Sequence, residues 1–319
     1  MKTSEFLHRA CPMCGATDAR EEVHSRRRAE GITLESLRPY WSGLFKEKLF
    51  FSYHRCAACG LLYNPVFFGP GQLADLYSDM APNMDLVPSA AIAATQRGYF
   101  QAAARRGGLA GGYLEVGPDI GHIVSAAAAQ GAFDHFWLFE PNRAIHDPLR
   151  AATGGRPATL SADMDDFSAV PDGSVGLAVM VHVLDHLLDP RATLAQIRAK
   201  LRPGGTLMIV THDESSLLRR LMGERWPPFC LQHPELYNPA TIRSLLTRTG
   251  FGAIAVERSR NHFPIDFLAR QTAWSIGLKV DRVPLPSVSI GLRLGNMLTL
   301  ASASPQAAER VTRRLESVR

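Results

Sequence analysis

Residues Tyr113–Gly121 read YLEVGPDIG, and an acid, Glu140, follows nineteen positions after Gly121. Leu114, Val116 and their neighbours suit a buried parallel strand, and Gly117 and Gly121 bracket a tight turn. HIVSAAAAQG then reads as a helix ending at Gly131, and FWLFE, Phe136–Glu140, as a second strand with the acid at its C-terminal end. A strand, a glycine turn, a helix and an acid-ended strand make half of a nucleotide-binding sheet. Glycine lets backbone approach a ligand, and a helix start offers free N–H groups. A terminal carboxylate can accept hydrogen bonds from both hydroxyls of a ribose. The turn lacks G-x-G-x-x-G spacing and no Walker lysine follows, so the pattern predicts a ribose-bearing ligand without a pyrophosphate.

Downstream punctuation extends the alternation. Pro171–Ser174 is a turn signal and Val175–Val181 a buried strand. Asp189-Pro190 reads as an N-cap with proline at the first helical position, and Leu194, Ile197 and Leu201 share one helical face. Pro203-Gly204-Gly205 stops that helix before a strand at Thr206–Val210. Asn238-Pro239 starts another, with Ile242, Leu245 and Leu246 inward, ended by Gly250 before a strand at Phe251–Val256. Ala90–Arg106 reads as a helix leading into the first strand. The expected class is α/β with a mainly parallel sheet.

The chain has 319 residues, 46% of them hydrophobic and 20% charged, an ordinary globular balance. No apolar run reaches the roughly 18 residues of a membrane helix. The longest, near Leu177–Leu184, is interrupted by His182, and the N-terminus lacks the apolar core of a signal peptide. The expected compartment is the cytoplasm. The net charge of +5 is partly local, in Arg26–Arg28 and in the arginines of the last ten residues. No aromatics interleave with these runs, so a solvated face is favoured over a nucleic-acid surface.

Cys11/Cys14 and Cys56/Cys59 repeat one form, CPMCG and CAACG. Two intervening residues let both thiolates face one ion, and the following glycine permits the left-handed turn that aims N–H groups at sulfur. Four such thiolates make a closed, structural zinc site; a disulfide reading is disfavoured in a cytoplasmic chain. TLESLRPYWSGLFKEKLF between the pairs is expected to contain a helix. Cys230 reads as a small buried residue.

Together these stretches resemble a class I S-adenosylmethionine-dependent methyltransferase. More narrowly, they are similar to bacterial members that carry an N-terminal zinc-binding segment and act on sugars or other small metabolites. CPMCG, YHRCAACGLLYNP, LEVGPDIG, FEPN, VHVLDHLLDP, LRPGGTLMIV and RWPPFCLQHPELYNPATIRSLLTRTGF stand in the family's order across most of residues 11–256. The resemblance implies a Rossmann-like, mainly parallel seven-stranded sheet over 85–302 with an insertion at 259–290. A zinc-binding segment over 1–75 precedes it and a basic helical tail over 303–319 follows. It implies that Glu115, Gly117, Pro118, Asp119 and Gly121 form the loop facing the methionine portion of the cofactor. Glu140 would hold the ribose, Asp163 and Met164 would lie beside adenine, and His182 would border the sulfonium. His233 is the implied general base with Tyr237 as its neighbour; His182 is the second choice, and His186 structural. Trp226, Pro227 and Pro228 would form a loop over the site, and the 259–290 insertion would shape acceptor specificity. Asp119 stands where the family usually has glycine, and Val175-Gly176 where it usually has Phe-Asp. The expected partner is a small-molecule acceptor, with no membrane and nucleic acid disfavoured; neither the oligomeric state nor the atom methylated is readable. An RNA methyltransferase and a non-catalytic binding protein with a degenerate loop are the competing classes. The isoelectric point near 9.1 suits the former and Asp119 the latter.

Overall fold

The computed structural model describes residues 6–41, 48–78, 88–107, 109–130, 133–275, 280 and 288–303. Seven strands form the principal sheet: β1 (Gly111–Val116), β2 (Phe133–Phe139), β3 (Ala158–Ser161), β4 (Val175–Val181), β5 (Leu201–His212), β6 (Phe251–Arg258) and β7 (Asn296–Ala303). Their spatial order is β3-β2-β1-β4-β5-β7-β6. The five strands from β3 to β5 pair in parallel, and β7 is antiparallel to both of its neighbours, so the sheet is mixed. The order reverses beside β1, which places the C-terminal ends of β1 and β4 at the switch point where α/β sheets bind ligands.

Both faces are covered, which explains why the strands read as apolar runs. Leu114, Val116, Met180, Leu207 and Ile209 point into one core with Leu194, Ile197, Ile242 and Leu245. Tyr113, Val179, Met208 and Val210 point into the other, with Tyr99, Phe100, Ile123 and Leu149. Six helices concern the site: α1 (Ser89–Ala104), α2 (His122–Gln130), α3 (His146–Ala152), α4 (Pro190–Lys200), α5 (Leu217–Met222) and α6 (Pro239–Arg248). The Asp189 carboxylate caps α4 by accepting from the Ala192 N–H, and Asn238 with Thr241 closes a capping box on α6. Leu201 belongs to β5 rather than to the α4 face, because α4 ends at Lys200.

The N-terminal segment differs from its sequence reading. A single α-helical turn spans Leu34–Leu37, a 3-10 turn follows at Arg38–Tyr40, and Leu49–Phe50 form a strand; residues 42–47 lie outside the described residues. Proline at 39 removes the N–H a continuing helix needs. The segment also shares a sheet with the C-terminal half. Glu235–Leu236 pair antiparallel with Leu62–Tyr63, which pair with Tyr53–Cys56, which pair with Ala19–Val23. Arg9 locks this junction: it donates to Glu235 Oε2 at 2.7 Å and to the carbonyls of Asn64, Pro234 and Leu188, with both charged groups buried.

The insertion holds a short antiparallel pair, Asn261–Pro264 with Ser289–Leu292, and a helix at Ile265–Ser275. It packs on α1, where Tyr99 donates to Asn261 and the His262 N–H donates to Thr95. Residues 276–279, 281–287 and the tail from 304 onward lie outside the described residues. Among the described residues, no helix is long and apolar enough to cross a membrane.

Candidate functional site

The turn after β1 is built by left-handed backbone. Gly117 has φ +66°, Asp119 +49° and Gly121 +79°. Asp119 is one of the side chains that tolerates this region without large cost, so glycine is not required there. The glycines answer to packing as well. A Cβ on Gly117 would lie 2.6 Å from Val183 Cγ2, and one on Gly121 would crowd Leu149 and Ala152 of α3. Gly117 therefore presses the β1 turn against the turn that follows β4, and Gly121 seats α2 against α3.

Glu140, just past β2, is buried. Its carboxylate accepts from the Asp119 N–H at 3.3 Å and from the Asn142 N–H at 3.0 Å. It thereby fastens the β1 turn to the β2 end and keeps lone pairs for further donors. Burial raises its pKa, and Asp119 adds to the rise. Glu115 is pushed up to about 8 by burial, with Asp119 and Glu140 adding repulsion; the Tyr113 hydroxyl donates to it and works the other way. Glu115, Asp119 and Glu140 thus crowd one turn, and a cationic ligand would relieve their mutual repulsion and favour their ionised forms. Beyond β3, the exposed Asp163 accepts from the N–H groups of Asp165 and Asp166, while the neighbouring Met164 packs on the core. Ser161 at the end of β3 accepts the Glu140 N–H, which places this turn next to Glu140.

Across the switch point lies a group of imidazoles. His182 follows β4 with φ +52°, and its N–H donates to the Val210 carbonyl. Its ring lies 4.5 Å from that of His212, the last residue of β5, whose ring is 5.1 Å from His233. His233 is 4.6 Å from His186. Asp185 sits among them, fully buried. Burial would raise its pKa, but the four histidines hold the carboxyl well below the usual range. Burial lowers His182, His186 and His212. Burial would also lower His233, but Cys230, 3.4 Å from its Nδ1, with Asp185 and the Pro228 carbonyl, raises it to about 9.

The N-terminal segment buttresses this cluster. The Tyr53 hydroxyl donates to the His233 carbonyl at 2.7 Å, and Tyr77 bonds His186 Nδ1 at 2.8 Å. Trp226 is a core residue: it is buried beside Phe229, Tyr53 and Phe50, and its ring edge meets His212 at 6.1 Å. The Tyr237 ring packs in the core and its hydroxyl donates to Glu235 at 3.3 Å. Cys230 is buried, as its isolation implied, yet it touches His233. His212 and Asp185 were not singled out from sequence. The signal for His212 is a polar residue at the end of an apolar strand, which runs to His212, two residues beyond the Thr206–Val210 expectation.

The four paired cysteines converge. All their sulfurs lie within 4.8 Å of one another, with Cys11–Cys59 at 3.5 Å and Cys14–Cys56 at 3.6 Å. All four are free thiols. Tetrahedral zinc with bonds of about 2.3 Å holds its sulfurs roughly 3.8 Å apart, close to the Cys11–Cys59 and Cys14–Cys56 separations, so the donor set suits that ion. Gly15 and Gly60 have φ near +75°, and their N–H groups return to the carbonyls of Cys11 and Cys56.

A family model described as a methyltransferase domain matches residues 90–256. A protein of Streptomyces fradiae, an uncharacterized 37.1 kDa protein in transposon Tn4556, is 31% identical over 103 residues, 32% of this chain. That match spans 29% of the relative's length. Among solved structures, a putative methyltransferase from Bacillus halodurans is 14% identical, with a TM-score of 0.45 over 66% of this chain and 99% of its own. Magnesium protoporphyrin IX methyltransferase from Synechocystis is 12% identical, with a TM-score of 0.44 over 74% of this chain and 88% of its own. The matched domain covers more than half of the chain and contains the β1 turn, Glu140 and the histidine cluster, so the chain belongs to the methyltransferase-domain family.

Proposed function

We propose that the protein transfers a methyl group from S-adenosylmethionine to a small-molecule acceptor, a sugar or glycosylated metabolite being the favoured class. The observation that carries this reading is the three-carboxylate turn at the switch point: Glu115, Asp119 and Glu140 around left-handed Gly117 and Gly121. When bound, S-adenosylmethionine supplies a methyl group already activated on a cationic sulfonium. Glu140 offers acceptors to the ribose, Asp163 and Met164 flank the adenine, and Glu115, Pro118 and Asp119 face the methionine portion. The protein's main task is then alignment. Val183, next in sequence to His182, abuts Gly117 of this turn, which supports putting the histidine cluster on the acceptor side.

An acceptor hydroxyl must also lose a proton, and His233 is the proposed base, with His182 as second choice. Cys230 and the Pro228 carbonyl orient the His233 ring through Nδ1, and because they also raise its pKa to about 9, Nε2 accepts a proton only in the neutral form, so turnover should rise as pH approaches 9. Tyr237 is proposed as the pocket neighbour of His233, with its hydroxyl held by Glu235. The cysteine set is proposed to hold structural zinc; four thiolates leave no open position for chemistry.

Calorimetry with S-adenosylmethionine tests the reading. Saturable binding is expected, and no binding at millimolar cofactor would sink it in favour of a non-catalytic fold. For the base, His233→Ala is expected to lower kcat by about 10²–10⁴-fold with cofactor affinity unchanged. Full turnover in that variant would remove His233 from the role.

A further inference from the structure

At the C-terminal ends of the adjacent parallel strands β4 and β5, His182, Asp185 and His212 each bring one ligand atom within 4.8 Å of the others. Two buried polar atoms in this group lack any hydrogen-bond partner: Asp185 Oδ1 and His182 Nδ1. Asp185 is 0% exposed, so its unsatisfied oxygen is costly unless something fills the space beside it. Its other oxygen receives only a long bond from the His212 N–H, at 3.4 Å. His212 is oriented as metal-binding imidazoles are. Its Nδ1 lies 3.0 Å from Asn296 Oδ1, which turns Nε2 toward Asp185 Oδ2 at 3.9 Å. The Asn296 Nδ2–H donates a long bond of 3.4 Å to the His182 Nε2 lone pair, which an ion would take in its place, while His182 Nδ1 carries the ring proton.

We propose that His182, Asp185 and His212 form a two-histidine, one-carboxylate site for a divalent first-row transition-metal ion. Bonds of about 2.1 Å put ligand atoms roughly 3.0–3.4 Å apart, so the His212–Asp185 gap must close by less than about 1 Å. His182 and His212 are only partly buried, so the group can be reached from solvent. A hydroxyl-bearing acceptor could place an oxygen there beside His233, and this part rests on the methyl-transfer reading. A second set, Asp185 with His186 and His233, also lies within 4.8 Å. It lies deeper, with His233 buried where the first set has partly exposed imidazoles.

Manganese(II) is the probe, because thiolates bind it poorly compared with imidazole and carboxylate. Titration of the full chain, with free ion followed by electron paramagnetic resonance, is expected to show one bound ion per chain. His212→Ala is partly exposed and expected to fold; it should weaken binding by about 100-fold or more, and Asp185→Asn should do the same. His233→Ala should keep the ion. Three results would overturn the proposal: no bound ion at saturating manganese, wild-type binding by His212→Ala, or loss of the ion in His233→Ala. Calorimetry with S-adenosylmethionine on the same samples separates the two ideas. Manganese binding without cofactor binding would fail the methyl-transfer reading alone, and the reverse would fail only the metal site.

Discussion

Replacing Cys59 with serine is expected to abolish the zinc binding proposed for the cysteine set and to destabilise the N-terminal segment by several kcal/mol. Structural zinc contributes an apparent folding energy of roughly 10–16 kcal/mol in small domains that depend on it. Losing one of four thiolates forfeits part of that, and even about 3–5 kcal/mol is comparable with the whole stability of a typical domain. Cys11 and Cys56 are buried against Met13, Leu61 and Tyr63, so the cluster is continuous with the core and not a surface ornament. The loss should propagate to the site. The segment holds His233 through Tyr53 and His186 through Tyr77, and its sheet ends on Glu235–Leu236. The expected pattern is a lower thermal midpoint, one metal ion fewer per chain by elemental analysis, and methyl transfer impaired more than cofactor binding. Metal-free wild-type protein with an unchanged midpoint in the variant would rule out the zinc assignment.

The second large effect is expected at Glu140. Glu140→Ala removes the acceptor for two backbone N–H groups, those of Asp119 and Asn142, and the proposed acceptor for the ribose. Hydrogen bonds to a charged group contribute about 1.5–3 kcal/mol each, and losing the ribose contacts while loosening the turn should cost about 3 kcal/mol of binding. That is about a 100-fold rise in the dissociation constant for S-adenosylmethionine. Calorimetric titration reads it directly. Glu140→Gln keeps an acceptor oxygen and should fall between the two; an Ala variant that binds like wild type would displace Glu140 from the cofactor site.

Most of the alternation of elements could be read from sequence because its causes are local. Asp189-Pro190 and Asn238-Pro239 announce helix starts through groups that bond within their own first turn. The Cys-x-x-Cys-Gly knuckles need only their own backbone to form. Where sequence reading erred, a distant partner or a local breaker decided. Residues around Leu49–Phe50 became strand by pairing with Arg27–Arg28, and proline at 39 ended the helical stretch early.

By itself, then, the sequence determined the α/β class, the acid-ended nucleotide half-sheet around Tyr113–Gly121 and the pairing of four cysteines into one candidate ion site. Each is encoded in periodicity or short spacing. Only the tertiary structure decided what meets what: that Glu140 fastens the turn containing Asp119, that Gly117 abuts Val183, and that His182, His186, His212 and His233 gather about Asp185. The physical reason is that parallel strands bring their C-terminal ends to one edge whatever their separation along the chain. Side chains thirty to fifty residues apart thereby share one buried, desolvated space in which a carboxylate requires partners.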